Sequence, residues 1–519
     1  MQSIYERLYK PDVLSCLADL SNDEVFTPPD IANRMLDLLP QELFRRKETK
    51  ILDPACKSGV ILREAAKRFI AGERDQFDSL QECIDWVFHN QIYGIAITEL
   101  TSLLSRRSVY CSKYPNSPFS ITKFEPDDVQ GNILFHRIPH TWTGVGKDKK
   151  CIYCGASSTL DRSDSLETHA YEFIHNNIEE IEDVKFDVIA SNPPYQLTVG
   201  IEKENYAVPI YDKFVETAKK LNPRYITMII PARWYAGGRG LDAFRDSMLH
   251  DDRLRVIHDF PDAADCFPGV QIKAGVCYFL WERDNKGDCS VTTHMNGDVI
   301  GPTSRPLLEK GCSTFIRYNQ SISVLHKVQA FHEASFSELV SPQTPFGVVT
   351  SYKGNATRMN ASDVKMYISG NDKQYKGGTS FCPAEKITKG HDMIPWHKVY
   401  IGEAGSGSDS FPHSILSRPF YGEPNSMCNQ SYLVIGPFKN KEMCENVMSY
   451  ISTKFFRFMV LMKKNAQHAM RGVYEFVPVQ DFTKAWTDEE LYKKYGLTTE
   501  EVEFIESMIR PMDLSGGDD

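Results

Sequence analysis

Hydrophobic and polar positions alternate along the first 285 residues with the periods of strands and helices. Short apolar runs at 51–52, 91–97, 187–191, 225–231 and 275–281 predict buried strands, and helical spacing at 60–66 and 209–218 predicts helices between them. Strands that alternate with helices are typical of a parallel sheet covered on both faces. We therefore predict an α/β fold built on a doubly wound, Rossmann-like sheet over residues 21–285.

The pattern changes outside this region. Residues 1–20 predict a helical lead-in, 286–312 a linker, and 313–480 a mixed α+β domain rich in turns and aromatic residues. Near its end, 446–460 has the spacing of one strongly apolar helix, whose aromatic residues we expect in a core. Residues 481–519 predict an acidic helical tail.

Composition narrows the class of protein. At 519 residues, 41% hydrophobic and 25% charged, the chain predicts two or three domains, each with its own core. Apolar runs stay well short of the roughly 18 residues that a membrane span needs, and the first residues lack a secretion pattern. Thirteen scattered cysteines suit reduced thiols better than a disulfide framework. We expect a cytoplasmic protein with no membrane partner.

The net charge of -10 is distributed unevenly. Residues 1–300 carry 35 basic and 45 acidic groups, 301–480 carry 20 and 13, and 481–519 carry 4 and 11. A positive block between negative ones is what a nucleic-acid-facing domain on an acidic protein would show, although such a difference also arises by chance. Lys463, Lys464 and Arg471 are candidates for phosphate contacts, with a solvated helix end as the alternative.

A stiff turn, Asn192-Pro193-Pro194-Tyr195, follows the predicted strand 187–191. Two prolines fix their own φ angles and keep the preceding residues out of the helical region. The Asn192 side chain and the Pro193 carbonyl can both accept hydrogen bonds from one planar NH2 group, which exposes the nitrogen lone pair, and Tyr195 offers a flat face for a base. The turn predicts methylation of an amine; an ordinary proline-rich turn is the alternative.

A second candidate site lies at the end of the first predicted strand. The loop from Asp53 through Pro54, Ala55, Cys56, Lys57 and Ser58 to Gly59 leads into the helix predicted at 60–66. In a doubly wound sheet such a junction presents backbone N–H groups to a ligand, and an acidic residue there can hold a ribose or an ammonium group. The order of motifs adds specificity, since Phe26-Thr27-Pro28-Pro29 comes first, this loop second and the Asn-Pro-Pro-Tyr turn third.

With these motifs in this order, the chain resembles the amino-group DNA methyltransferases that use S-adenosylmethionine. It is most similar to the bacterial N6-adenine methyltransferases of restriction-modification or phage-defence systems. The resemblance covers residues 20–285, with a looser likeness in the C-terminal half. It implies a methyltransferase sheet over 21–285, a DNA target-recognition domain over 313–480, double-stranded DNA as partner, and a plausible separate restriction nuclease or helicase subunit.

The resemblance also assigns roles to single residues. It implies catalysis by Asn192, Pro193, Pro194 and Tyr195. It places six residues around the cofactor, namely Phe26, Thr27, Pro28, Asp53, Ala55 and Gly59. Asn132 falls in the segment that forms the adenine pocket, and Phe267 falls where a second aromatic stacks on the flipped base. A core aromatic is an equal alternative for Phe267.

Two positions depart from the family pattern. Lys57 stands where a glycine is usual, and a lysine would be strained if the loop needs a positive φ. Either the loop is reshaped or Lys57 reaches the cofactor carboxylate. Ala96 stands where an acidic residue usually holds the ribose hydroxyls, so Glu99, or less favourably Thr98, is expected to substitute.

An insert between these motifs contains candidate metal ligands. Cys151 and Cys154 have the two-residue spacing that lets both thiolates bind one zinc ion, with Gly155 supporting the turn, and His169 and His175 follow. We predict a structural zinc site within 136–180. Reduced cysteines in a polar loop are the alternative, and Cys111, His136 and His140 are spare donors.

The implied mechanism is direct methyl transfer to a base flipped out of the duplex, without a covalent intermediate or a catalytic metal. One alternative is methylation of RNA or of a protein glutamine. Another is a bifunctional restriction enzyme or its subunit, although we expect no nuclease in this chain. A third is a non-catalytic DNA-binding scaffold, should Lys57 and Ala96 have abolished cofactor binding.

Overall fold

In the computed structural model the chain divides into two compact units, Met1–Leu307 and Leu308–Asp519. The structure describes residues 25–144, 146, 149–158, 171–175, 184–198, 207–295, 297–369, 378–404, 411–464 and 468–514. Among these residues, no helix is long and apolar enough to cross a membrane.

The first unit contains strands and helices in alternation. Its strands are β1 Ile51–Cys56, β2 Ile92–Ala96, β3 Ile133–Leu134, β4 Trp142–Thr143, β5 Lys150–Cys151, β6 Val188–Ser191, β7 Gln196–Thr198, β8 Ala207–Pro209, β9 Tyr225–Pro231, β10 Leu254–Phe260, β11 Val276–Glu282, β12 Cys289–Met295 and β13 Asp298–Arg305. Its helices are α1 Pro29–Asp37, α2 Val60–Glu73, α3 Leu80–Asn90, α4 Glu99–Tyr110, α5 Tyr211–Lys220 and α6 Asp242–Leu249, with a 3-10 turn over Glu172–Ile174.

Nine of these strands form one sheet in the order β13-β12-β10-β11-β9-β6-β1-β2-β3. The half from β9 to β3 is parallel, and β11 is antiparallel to both β9 and β10. From β1 the chain winds to β2 and β3 on one side and later to β6 and β9 on the other. The strand order therefore reverses between β1 and β6, which opens a crevice at their carboxyl ends. The predicted doubly wound α/β sheet is confirmed.

The predicted linker at 286–312 differs from the structure. Strands β12 and β13 occupy most of it, and they pair with each other and, through β12, with β10. Val291 lies fully buried within β12. Threonine, serine and histidine fill much of this stretch, and burial does not alternate along either strand, so the sequence lacks the apolar pattern that would have predicted them.

The second unit is a mixed α+β structure, as predicted. Its strands are β14 Val364–Tyr367, β15 Thr379–Cys382, β16 His397–Gly402, β17 Phe420–Gly422, β18 Ser426–Cys428 and β19 Tyr432–Phe438, in two three-stranded sheets ordered β15-β14-β18 and β17-β16-β19. Its helices are α7 Asn319–Gln329, α8 Lys441–Ser452, α9 Lys454–Leu461, α10 Asp488–Lys494 and α11 Thr499–Met508.

The apolar stretch at 446–460 is not one helix. Thr453 has extended backbone angles, and its hydroxyl accepts a hydrogen bond from the Phe456 N–H, so one helix ends there and the next begins. The expectation that its aromatic residues lie in a core is confirmed, since Phe455, Phe456 and Phe458 are fully buried.

Candidate functional site

The candidate site lies in the crevice where the strand order reverses. A small pocket there is lined by residues of the β1–α2 loop, of the turn after β6, and of the segment that precedes α1. They are Thr27, Asp53, Ala55, Lys57, Ser58, Gly59, Val60, Ile61 and Asn192. The structure thus brings together motifs that are far apart along the chain, as parallel strands with adjacent carboxyl ends require.

Asp53 is the buried acid of this pocket, with 3% of its surface exposed. Its Oδ1 accepts hydrogen bonds from the Ser191 hydroxyl at 2.7 Å and from the Ala55 N–H at 3.1 Å. Burial raises the pKa of Asp53 from 3.8 to about 6, against the lowering effects of these two hydrogen bonds and of Lys57. Ser191, which the sequence analysis did not single out, therefore ties the acid of β1 to the strand that carries the turn.

The loop after β1 is shaped by Gly59, which has φ +71°. A Cβ atom at this position would lie 2.8 Å from Ser105 Cα and 2.9 Å from its carbonyl oxygen, so α4 leaves no room for a side chain. Helix α2 begins at the next residue, and the N–H groups of its first turn lack partners within the helix. The left-handed conformation thus falls on the glycine.

Lys57 does not adopt a positive φ, so the strain expected at this position is absent. Its side chain is buried, and its ammonium group donates a hydrogen bond to the Val25 carbonyl at 3.1 Å. The same group lies 5.7 Å from the centre of the Tyr195 ring, within the range of a cation–π contact. Lys57 therefore connects the loop after β1 with the segment before α1 and with the turn after β6.

Asn192 carries the least satisfied polar atom of the pocket. Its amide nitrogen donates to the Val25 carbonyl at 2.9 Å and to the Thr27 hydroxyl at 3.1 Å. Its Oδ1 is buried and has no hydrogen-bond partner within the part of the chain that the structure describes. The amide orientation is thus fixed, and a buried acceptor is left available to a ligand.

Two aromatic residues predicted to stack on a base lie in the core of the first unit. Tyr195 is 8% exposed and Phe267 is 2% exposed, and both belong to one apolar cluster. Burial raises the pKa of the Tyr195 hydroxyl well above its usual value. Phe26, by contrast, is half-buried beside the pocket residue Thr27. For Phe267, the structure places the ring as the core alternative expects.

Four predicted cofactor residues do not line the pocket: Phe26 and Pro28 flank the lining residue Thr27, and Asn132 and Glu99 lie farther along the chain. Asn132 lies before β3, and its amide group donates to the carbonyls of Phe88 and His89, both at 3.0 Å, before β2 begins. This is the amino edge of the sheet, opposite to the carboxyl edge where the pocket opens. Glu99 is the exposed first residue of α4, just beyond the carboxyl end of β2, and Thr98 caps that helix through a hydrogen bond from the Thr101 N–H.

The correction for Asn132 has a physical reason. The resemblance to the family assigned the adenine pocket to Asn132 because it is polar. Asn132, however, precedes β3, and only residues that follow the carboxyl end of a strand reach the crevice. Phe135 and His136 follow β3 and stand at that edge, and the sequence analysis did not connect them with the pocket. Strand direction in a short strand was the missing signal.

A separate cluster brings together four side chains that could ligate one metal ion, namely His140, Cys151, Cys154 and His175. Their ligand atoms all lie within 4.8 Å of one another. His169, which was predicted as a ligand, lies outside the described residues. His140, one of the spare donors, occupies the cluster with both cysteines and His175.

Comparisons of the sequence with known proteins found similarity to methylases. Residues 90–267 match the family model of the Eco57I restriction-modification methylases. An adenine-specific methylase of Mycoplasma pneumoniae, itself uncharacterized, is 32% identical over 346 residues, which cover 62% of this chain and 79% of the relative.

Similar solved structures are more distant. A methyltransferase subunit of a type I restriction-modification system from Streptococcus thermophilus is 13% identical with a TM-score of 0.31, covering 61% of this chain and 56% of that one. A nuclease-deletion mutant of the type ISP restriction-modification enzyme LlaGI, in complex with a DNA substrate mimic, is 10% identical with a TM-score of 0.48, covering 90% and 54%. This chain thus spans little more than half the length of these two solved chains.

Proposed function

This chain belongs to the family of adenine-specific methylases, and from that membership we propose that it transfers a methyl group from S-adenosylmethionine to the N6 amino group of adenine at specific sites in DNA. We further propose that it serves a restriction-modification or phage-defence system. The sequence motifs and the pocket at β1 and β6 support this proposal independently of the comparisons.

One observation carries the chemistry: Asn192 Oδ1 is buried and finds no hydrogen-bond partner among the described residues. A buried acceptor without a donor costs roughly 1–3 kcal/mol, so it is retained where a ligand supplies the donor. The exocyclic NH2 group of adenine is such a donor. Because the Asn192 amide nitrogen is held by the Val25 carbonyl and the Thr27 hydroxyl, the oxygen is fixed before the substrate arrives.

The turn would activate the amine by accepting its hydrogens. Asn192 Oδ1 and the Pro193 carbonyl would accept hydrogen bonds from the two amino hydrogens, which raises the electron density on the nitrogen and favours a tetrahedral geometry with an available lone pair. S-adenosylmethionine, when bound, would supply the methyl group to this nitrogen with its sulfur as the leaving group, and one amino proton would pass to solvent. The base must be flipped out of the duplex for this step, and Tyr195 would support it after its ring becomes accessible.

The pocket suits S-adenosylmethionine, whose sulfonium supplies an electrophilic methyl group when bound. Asp53 offers a buried carboxyl group beside the first turn of α2, and Lys57 offers an ammonium group to a carboxylate. We propose that Phe26, Thr27, Pro28, Ala55 and Gly59 complete the contacts. Glu99 stands at the same edge of the sheet and is proposed to hold the ribose in place of Ala96.

The second unit is proposed to recognise double-stranded DNA. The charge excess of residues 301–480 supports this role, although Lys463, Lys464 and Arg471 are poor candidates for phosphate contacts. Lys464 is buried, Lys463 pairs with Glu475, and Arg471 donates to the Ser337 carbonyl.

Three exposed residues, Arg358, Lys386 and Lys389, are better placed for phosphate contacts. A separate nuclease or helicase subunit remains part of the proposal. One structural zinc, bound by the cysteine–histidine cluster, completes the proposed cofactors.

The experiment is a transfer assay with methyl-labelled S-adenosylmethionine and three acceptors: unmethylated duplex DNA, total RNA and a protein extract. We expect label in DNA only, recovered as N6-methyladenine after digestion and mass spectrometry. Label in RNA or in glutamine would replace the proposal by one of its alternatives. Binding of the cofactor without transfer to any acceptor would favour a scaffold.

A further inference from the structure

We propose that His140, Cys151, Cys154 and His175 bind one zinc ion, and that this ion fastens the insert between β3 and β6 onto helix α5. The inference does not depend on methyl transfer. It differs from the sequence-based ligand set, because His140 takes the place that spacing had given to His169. It also assigns the metal a mechanical role next to the catalytic turn.

The distances suit tetrahedral zinc. Cys151 Sγ lies 3.3 Å from His175 Nε2, and Cys154 Sγ lies 3.4 Å from His140 Nδ1. Bonds of about 2.3 Å to sulfur and about 2.0 Å to nitrogen place neighbouring ligand atoms about 3.5 Å apart in a tetrahedron. Two thiolates and two imidazoles also form a donor set that favours zinc over harder cations such as magnesium or calcium. The four ligand atoms thus have the spacing of a closed structural site.

The backbone around the cysteines forms a tight knuckle. The Cys151 N–H donates to the Ala156 carbonyl at 2.8 Å, and the Gly155 N–H donates to the Cys151 carbonyl at 3.0 Å. Gly155 has φ +75°, which lets the chain reverse directly after the second cysteine. Both sulfur atoms consequently face the same side of the turn, toward the histidines.

His175, at the other end of the insert, is oriented by a hydrogen bond of the ring nitrogen that does not face Cys151. His175 Nδ1 lies 2.6 Å from the Tyr171 carbonyl, an arrangement in which Nδ1 donates and Nε2 keeps its lone pair for a metal. Cys151, Cys154 and His175 are buried, whereas His140 is half-buried. This combination of an oriented imidazole and buried thiols is typical of a structural zinc site.

The segment that carries His175 packs on α5. The rings of Tyr171 and Phe173 lie 5.9 Å and 5.8 Å from the ring of Phe214 in that helix. Just before α5, the Ile210 N–H donates to the carbonyl of Tyr195, the last residue of the catalytic turn. A metal that ties 171–175 to the cysteine knuckle therefore stabilises the packing of α5, one element away from Asn192.

Metal analysis of the purified full-length protein tests the ligand set. We expect about one equivalent of zinc in the wild type and less than about a fifth of that in His140→Ala and in the Cys151→Ser, Cys154→Ser double variant. His140→Cys should retain zinc, because a thiolate can replace the imidazole. His169→Ala is the matched control and should retain zinc as well. Loss of zinc in His169→Ala with retention in His140→Ala would overturn the assignment.

Hydrogen exchange tests the mechanical role. The wild-type protein is compared before and after removal of zinc with a chelator, and again after zinc is restored. We expect several-fold faster exchange in 171–175 and in α5 without zinc, reversed by zinc, and no change in α2. Unchanged exchange in α5 would overturn the fastening role. A folded wild type that neither contains zinc nor takes it up in a titration would overturn the site itself, leaving thiol–imidazole hydrogen bonds in its place.

Discussion

At the scale of single residues, the carboxyl group of Asp53 is buried in the pocket, and its pKa therefore changes on folding. The protonated form of this acid is favoured in the folded protein, since its pKa rises from 3.8 to about 6. The folded state therefore binds more protons than the unfolded state between these values, and stability falls as pH rises through that window. Above it, the buried charge costs about 3 kcal/mol as an upper limit.

We therefore expect Asp53→Asn to raise the free energy of unfolding by about 1–3 kcal/mol at pH 7.5, with the difference vanishing near pH 4. The same variant should lose cofactor affinity. Denaturant unfolding at several pH values measures the first effect, and calorimetric titration with S-adenosylmethionine the second. The exposed Asp75→Asn variant is the control. An Asp53→Asn protein that is less stable than wild type at pH 7.5 would show that the buried charge of Asp53 does not destabilise the folded protein.

In the proposed mechanism Thr27 positions Asn192, because its hydroxyl accepts one of the two hydrogen bonds that the Asn192 amide nitrogen donates. Thr27→Val should lower the methyl transfer rate constant about tenfold, while Thr27→Ser should restore most of it, since only the hydroxyl orients the amide. Single-turnover kinetics at saturating DNA and cofactor measure this rate. Equal rates for the valine and serine variants would show that Thr27 does not position Asn192.

At the scale of elements, the junction between β1 and α2 depends on one backbone conformation. Gly59→Ala would combine the cost of a left-handed alanine, about 1 kcal/mol, with a clash against Ser105 worth roughly another 1–3 kcal/mol. Gly269 has φ +82°, and no atom of the described residues lies within 4 Å of an added Cβ, so Gly269→Ala should carry the backbone cost alone. Thermal unfolding of both variants measures the difference, and equal losses would contradict the packing argument.

Elements with strong periodicity were predictable, and elements defined by neighbours were not. The strands at 51–56, 188–191 and 225–231 are continuous buried runs. The two consecutive prolines after β6 predict the turn there. Strands β12 and β13 were not predicted because they contain few apolar residues and no alternation of burial. The break at Thr453 was not predicted because a side-chain cap starts a new helix within a stretch that keeps helical apolar spacing.

The candidate site divides in the same way. Asp53, Gly59 and Asn192 could be found because each belongs to a short local motif, either the junction of β1 with α2 or the proline turn after β6. The partnership of Ser191 with Asp53, and of Val25 with both Lys57 and Asn192, could not be found, since these contacts cross more than 30 residues of sequence. The sequence alone could not distinguish His140 from the other histidines as a ligand, because its place in the cluster depends on how the insert folds.

At the scale of the whole molecule, we propose that the first compact unit transfers the methyl group and that the second recognises DNA. If exposed basic residues of the second unit contact phosphates, Arg358→Ala, Lys386→Ala and Lys389→Ala should each lower DNA affinity and reduce the slope of log affinity against log salt by about 1. Sequence preference should stay the same. Lys493→Ala, an exposed lysine in the acidic C-terminal region, is the control. Slopes equal to wild type in all three variants would locate DNA binding elsewhere.

The central claim, that the buried acceptor of Asn192 drives methyl transfer to adenine, is tested most directly by one paired measurement on Asn192→Ala. Cofactor affinity is measured by calorimetric titration, and N6-methyladenine formation by single-turnover mass spectrometry, with the exposed Asn285→Ala as control. We predict that transfer falls by about two orders of magnitude or more, while affinity for S-adenosylmethionine changes little. Wild-type rates of N6-methyladenine formation in Asn192→Ala would contradict the account.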